Sequence, residues 1–117
     1  MTTTMTPIDQ DIATVSRRTI VQYAGIVQDF NPVHFDDEFA RQSGLPGVIA
    51  QGPLTLTLVL DALVALHGAD NIAGIKTRLK APVLPGAQLH LAVDAQGNLS
   101  AQVAGKEVLS GSVQLKS

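Results

Sequence analysis

Residues 52–66 read Gly-Pro-Leu-Thr-Leu-Thr-Leu-Val-Leu-Asp-Ala-Leu-Val-Ala-Leu, and this apolar stretch decides the fold. Its first part alternates leucine with threonine and, taken alone, is also typical of a β-strand. A helix is favoured because the run continues to Leu66 without a turn signal, Pro53 suits a first helical position, and Gly68 suits the position after the end. The predicted helix is apolar on almost every side, so we expect other elements to enclose it.

The segments that follow this helix alternate apolar and polar residues with a period of two, which predicts one-sided β-strands. They cover residues 75–79, 89–93, 99–103 and 109–115, with turns at 96–98 and 105–107. Consecutive strands of this kind form an antiparallel sheet with one dry face. The sequence therefore predicts an α+β fold in which an antiparallel sheet curls around a long central α-helix. Four or five strands cover such a helix poorly at the open edge, so we expect a second chain to extend the sheet.

The upstream third of the chain is predicted to hold shorter elements. Residues 1–10 are expected to form a loose lead-in, followed by a weakly patterned strand over 11–16. Ser16 suits a helix N-cap, and apolar residues recur at helical spacing from Ile20 to Val27. Three carboxylates at 36–38 and a glycine at position 44 predict a second short helix over 37–43. We find no linker or repeat, so we expect residues 1–117 to form one domain.

The composition excludes several classes of protein. Among 117 residues, 45% are apolar and only 15% charged, which is typical of a folded domain. Eight basic and ten acidic residues give a net charge of −2, without the basic footprint that binds nucleic acid. The absence of cysteine excludes disulfides and thiol catalysis, and three scattered histidines predict neither a metal site nor a cofactor. Without a targeting or membrane-spanning segment, we expect a soluble, cytoplasmic protein.

The segment Asp-Phe-Asn-Pro-Val-His at 29–34 is the most informative for chemistry. Pro32 lacks an amide proton and ends the preceding helix, so the segment forms an irregular turn. Such a turn can bring the side chains of Asp29 and His34 together, and an Asp–His pair around a water is a general acid–base device. Gly52, at the start of the buried helix, offers an unpaired backbone N–H to a developing negative charge.

The spacing of these residues resembles the MaoC-like, (R)-specific enoyl-CoA hydratase family. The resemblance extends over residues 11–116 and rests on Tyr23, the run Asp29-Phe30-Asn31-Pro32-Val33-His34-Phe35-Asp36, Ala40, Gly44, the run Gly47-Val48-Ile49-Ala50-Gln51-Gly52, and the turn Pro82-Val83-Leu84-Pro85-Gly86. It implies the hotdog fold, in which a sheet wraps a long helix, and an active site near a dimer interface.

The resemblance also implies a reaction and the residues that perform it. Members of the family add water to trans-2-enoyl thioesters of coenzyme A or acyl carrier protein, or dehydrate (R)-3-hydroxyacyl thioesters. Asp29 and His34 then hold and activate the water, and the Gly52 amide binds the thioester oxygen. The remaining candidates, which we assign to substrate binding, are Asn31, Gln51, Thr55 and Thr57. The implied partner is a second copy of the chain or a homologous hotdog subunit, and neither nucleic acid nor a membrane is expected.

Departures from the family pattern and two alternatives remain at this point. Val27 and Gln28 replace a small residue and a glycine, Gln51 replaces a histidine, and Pro53 replaces a methionine. These positions bear on acyl preference more than on reaction type. The first alternative is a hotdog acyl-CoA thioesterase, although the first carboxylate after the helix start is Asp61, more than two turns inside. The second alternative is a non-catalytic partner subunit of a heteromeric hydratase.

Overall fold

A five-stranded antiparallel sheet and one long helix dominate the computed structural model, which describes residues 4–116. The strands are β1 (Ile8–Val15), β2 (Ile72–Leu79), β3 (Ala87–Val93), β4 (Asn98–Val103) and β5 (Lys106–Leu115), and they lie in the order β1-β3-β4-β5-β2. The helices are α1 (Arg17–Val27), α2 (Asp37–Gln42) and α3 (Gly52–His67), and 3₁₀ turns cover Pro32–His34 and Ala69–Asn71. The predicted α+β hotdog architecture is confirmed.

The buried face of the sheet packs on one side of α3. Leucines and valines of the inner strands form the core together with Leu54, Val59 and Leu63 of α3, each at most 3% exposed. The opposite side of α3 is only partly covered, because Val64 and Leu66 are 37% and 47% exposed. This agrees with the expectation that the strands of one chain cover the helix poorly at an open edge, and the second chain expected there stays a prediction. Five strands curve around one face of the helix and leave the other open.

The first strand begins earlier than predicted. β1 starts at Ile8, which is buried and pairs with Val93, so the last part of the expected loose lead-in belongs to the sheet. The next three residues are all exposed, so the polar run at 9–11 hides the alternation that marks a strand. Met5 is also buried and its N–H donates to the carbonyl of Ala95. Residues 4–7 belong to no helix or strand, and residues 1–3 of the predicted lead-in lie outside the described residues.

Local sequence signals fix the ends of the helices. Ser16 caps α1, since its hydroxyl accepts the N–H of Thr19. Asp36 caps α2 through the N–H groups of Glu38 and Phe39. α3 starts at Gly52 and ends before Gly68, as the sequence predicts.

The last hairpin is tighter than predicted. β5 begins at Lys106 because the turn consists of Ala104 and Gly105 alone, both in the left-handed region at φ +50° and +80°. Glu107 therefore pairs within the sheet instead of turning. Among residues 4–116 no helix has the length and apolar character to cross a membrane, and the cytoplasmic location stays a prediction.

Candidate active site

The turn between α1 and α2 carries the predicted acid–base residues. α1 ends at Val27, and the next residue, Gln28, has a left-handed backbone at φ +59° and donates its N–H to the carbonyl of Ala24. This conformation favours glycine, the residue that Gln28 replaces in the pattern of the family that the sequence resembles. Asn31 then caps the 3₁₀ turn, since its side-chain oxygen accepts the N–H of Val33. Asn31 is exposed, and its contacts brace the turn.

The turn places the side chains of Asp29 and His34 side by side. The Nε2 atom of His34 lies 3.4 Å from the Oδ2 atom of Asp29. The two side chains differ in their access to solvent, because His34 is 9% exposed and Asp29 42%. The carboxylate of Asp29 is thus in contact with solvent, whereas the imidazole of His34 is buried within the protein. Asp29 is also held by its other oxygen, which accepts the N–H of Asn31 at 3.3 Å.

A backbone carbonyl determines how the His34 ring is oriented. Its Nδ1 atom lies 2.8 Å from the carbonyl oxygen of Ile49. A carbonyl oxygen can only accept a hydrogen bond, so Nδ1 carries the hydrogen and donates it. Nε2, the atom beside Asp29, is therefore the ring nitrogen that is free to bind and release a proton.

Gly52 opens a cavity on the other side of Ile49. The cavity has a volume of about 290 Å³, and its lining includes Ile49, Gly52 and Thr55 together with residues 79–83. As the first residue of α3, Gly52 has an N–H without a partner inside the helix. Asp29 and His34 are not part of the lining of this cavity. Ile49 connects the cavity with the Asp29–His34 pair, because Ile49 lines the cavity and its carbonyl oxygen accepts the hydrogen bond from the His34 imidazole.

The other predicted substrate-binding residues lie in different surroundings. Thr55 is 1% exposed and lines the cavity, whereas the hydroxyl of Thr57 is exposed and donates to the Pro53 carbonyl one turn earlier. Gln51 is 1% exposed, and its Nε2 donates to the carbonyl of Ile20 in α1. Its Oε1 is buried without a hydrogen-bond partner. The structure therefore brings Thr55 to Gly52 and uses Gln51 to hold α1 against the start of α3.

The outer face of the sheet holds a histidine cluster that the sequence did not reveal. His90 in β3 contacts Asp9 through Nε2 and Asp11 through Nδ1, and both carboxylates belong to β1. Hydrogen bonds to Asp9 and then Asp11 raise the pKa of His90 above its usual 6.5. Only the pairing of β1 with β3 brings these residues together across about 80 positions of sequence. No group of three His, Cys, Asp or Glu side chains in residues 4–116 is arranged to hold a metal ion.

Comparison with known proteins agrees with this architecture. Residues 2–115 match the family described as "MaoC like domain". Peroxisomal multifunctional enzyme type 2 of Drosophila melanogaster is 35% identical over 123 residues, covering 95% of this chain but only 21% of that protein. Fatty acid synthase subunit beta of Aspergillus oryzae is 33% identical over 70 residues, covering 57% of the chain and 4% of its own length. The chain thus spans about a fifth or less of these curated relatives.

Solved structures show the same fold. The ChsH1–ChsH2 complex from Mycobacterium tuberculosis superposes with a TM-score of 0.83 at 17% identity, covering 99% of this chain and 98% of that one. The (R)-hydratase from A. caviae involved in PHA biosynthesis has a TM-score of 0.78 at 21% identity, covering 97% and 95%. The five-stranded sheet with its central helix, shared with these structures, defines a protein of the hotdog-fold class. The chain belongs to the MaoC-like domain family.

Proposed function

We propose that the chain adds water to trans-2-enoyl thioesters of coenzyme A or acyl carrier protein, or dehydrates (R)-3-hydroxyacyl thioesters. The observation that carries this proposal is the 3.4 Å approach of His34 Nε2 to Asp29 Oδ2, with the other ring nitrogen bound to the Ile49 carbonyl. The membership in the MaoC-like family supports it. We also propose that residues 1–117 act as one domain.

In the proposed mechanism, Asp29 and His34 act jointly on one water molecule. The pair takes one proton from the water as its oxygen bonds to C3 of the enoyl group. The electrons of the C2=C3 bond move toward the thioester oxygen, which gains negative charge. The pair then returns a proton to C2, so that the net change is addition of H and OH and the pair regains its starting protonation state.

The Gly52 N–H is proposed to bind the thioester oxygen as its charge develops. Removing one such donor typically costs about 10²–10³ in rate. The cavity at Gly52 supports the role, and Thr55 is the hydroxyl residue beside it. A Cβ added at Gly52 would meet the Cδ1 atom of Leu79, the flexible end of a half-exposed side chain. A Gly52→Ala variant would therefore place a methyl group against Leu79, which lines the same cavity and can rotate away.

The open face of α3 supports a second hotdog subunit as the partner. Val64 and Leu66 are exposed there, and Leu79 on the edge strand β2 is 49% exposed. Burial of apolar area of this kind is the main driving force of stable association. We propose a dimer, with an identical or a homologous chain. Sedimentation of the purified protein should show a mass of two chains, and Val64→Glu should reduce it to one.

Hydration of crotonyl-CoA by the purified chain tests the reaction. We expect loss of the enoyl absorbance and formation of the (R)-3-hydroxyacyl product without release of free thiol. Free thiol without hydration would instead support an acyl-CoA thioesterase. A folded chain that hydrates only after a homologous subunit is added, and does so equally well as Asp29→Asn, would support the partner-subunit alternative.

A further inference from the structure

The segment that holds His34 is short and is tied to the turn by two hydrogen bonds. The Ile49 carbonyl accepts from His34 Nδ1 at 2.8 Å, and the Ile49 N–H donates to the carbonyl of Val33 at 3.1 Å. The next residue, Ala50, donates its N–H to the carbonyl of Val83 at 2.7 Å. The direction of Nε2 therefore depends on where residues 48–50 lie.

A carboxylate in α2 anchors this segment from the other side. The Oδ1 atom of Asp37 accepts the N–H of Val48 at 2.9 Å, and its Oδ2 atom accepts from Nη2 of Arg17 at 2.7 Å. A Cβ at position 47 would lie only 3.3 Å from the same Oδ1 atom, so Gly47 lets the carboxylate approach the backbone. Asp37 thus joins the start of α1, the start of α2 and the segment that holds the imidazole.

Asp37 keeps its charge at neutral pH. The Val48 N–H and then the Arg17 guanidinium hold the pKa of this carboxyl below its usual 3.8. Its side chain is 36% exposed and that of Arg17 is 56% exposed, so the pair is formed at the surface. The Val48 that it holds is 1% exposed. An exposed ion pair contributes little to stability by itself. The informative feature of Asp37 is therefore its hydrogen bond to the segment 48–50, which holds the His34 ring.

We propose that Asp37 is a positioning residue, which fixes the His34 imidazole through the backbone of Val48 and Ile49. The inference rests on the proposed hydratase function of Asp29 and His34. No polar contact joins Asp37 to either of those side chains, and Asp37 is not part of the Gly52 cavity lining. A misdirected Nε2 lowers the rate of proton transfer, whereas the thioester still reaches the cavity. Misplacement of a catalytic group by about 1 Å can cost 10²-fold in rate.

Asp37→Ala removes both contacts, and we expect kcat to fall by about 10- to 100-fold with KM changed less than about threefold. Asp37→Asn retains an oxygen that can accept the Val48 N–H, so it should recover most of the lost kcat. Glu38→Ala is the matched control, because Glu38 is the next carboxylate in the first turn of α2 and is exposed, and among the described residues its side chain has no hydrogen bond to residues 48–50. It keeps the Asp36 cap of α2 and should leave kcat close to that of the unchanged protein.

A nuclear magnetic resonance measurement separates this inference from the hydratase assignment. The chain has three histidines, so the ring nitrogens of His34 can be assigned by substitution. In the unchanged protein and in Glu38→Ala, Nδ1 of His34 should carry the hydrogen, with a hydrogen-bonded proton signal. In Asp37→Ala that signal should weaken or shift. If Asp37→Ala does not fold, Arg17→Gln provides the milder test, since it keeps the carboxylate and removes its partner.

Two results would overturn the inference. One is a folded Asp37→Ala protein with an unchanged His34 Nδ1 proton signal. The other is an equal loss of kcat in Glu38→Ala and Asp37→Ala. If the unchanged protein hydrates no enoyl thioester, the proposed function fails, but the His34 signal in Asp37→Ala still decides whether this carboxylate positions the ring.

Discussion

Two glycine-to-alanine substitutions should change stability in opposite directions. A Cβ added at Gly111 of β5 would lie 2.9 Å from both the carbonyl carbon of Lys76 and the Cα of Thr77. These are backbone atoms of β2 at the paired position, so the strand would have to move away and break its register. Forcing extra atoms into a packed site typically costs about 1–3 kcal/mol. We expect Gly111→Ala to lower the free energy of unfolding by at least about 2 kcal/mol, since no side chain can rotate to relieve this contact.

Gly25 in α1 provides the contrast. A Cβ there would meet no atom within 4 Å, and the residue lies inside a helix. Gly25→Ala should raise the free energy of unfolding by about 0.5–1 kcal/mol, because alanine loses less backbone entropy in a helix. Urea unfolding at one protein concentration should place the two midpoints roughly 1.5 M apart, for a slope of about 2 kcal/mol per M. A Gly111→Ala midpoint equal to that of the unchanged protein would refute the packing of β2 on β5.

Three further substitutions test local features. Gln28→Gly should change the free energy of unfolding by less than about 0.5 kcal/mol, because glycine adopts the left-handed backbone without strain and this offsets its entropy cost. Gln22→Gly, inside α1, should lower the free energy of unfolding by about 0.5–1 kcal/mol. Equal losses for the two variants in urea unfolding would contradict this. Because folding raises the pKa of His90, the protonated imidazole stabilises the protein fully below about pH 6.5, and this contribution disappears as the pH rises through the pKa of His90 in the folded protein. The difference in free energy of unfolding between the unchanged protein and His90→Gln should therefore narrow from pH 6 to pH 9. A difference that widens over this range would contradict the prediction. Thr55→Val should lower kcat/KM for crotonyl-CoA by up to about tenfold, the effect of losing one hydrogen bond to the substrate, whereas Thr57→Val should leave kcat/KM unchanged. A larger loss in Thr57→Val than in Thr55→Val would contradict the role of Thr55 in substrate binding.

Much of the fold could be predicted because most elements carry a local signal. The apolar run of α3, with proline after its start and glycine after its end, has the bounds that the sequence indicates. The inner strands follow from their alternation of apolar and polar residues. The start of β1 was missed because three exposed polar residues follow Ile8, and only pairing with β3 makes them a strand.

The candidate site was predicted only where its residues are close in sequence. Asp29 and His34 share one proline-containing turn, so their proximity follows from the turn. The support from Ile49 and the anchor from Asp37 act through backbone atoms, which no side-chain pattern records. The burial of Gln51 and its bond to Ile20 likewise depend on how α1 packs against the start of α3.

The central claim is that Asp29 and His34 act together as the acid–base pair. Its most direct test compares kcat for hydration of crotonyl-CoA among aspartate and histidine variants inside and outside the turn. Asp29→Asn and His34→Ala should each lower kcat by at least about 10²-fold, and the double variant should lose little more, because the two side chains act as a unit. Asp70→Asn, in the 3₁₀ turn after α3, and His90→Ala, on the outer face of the sheet, are matched controls, and they should retain kcat. A folded Asp29→Asn/His34→Ala protein that hydrates at the unchanged rate would contradict the account.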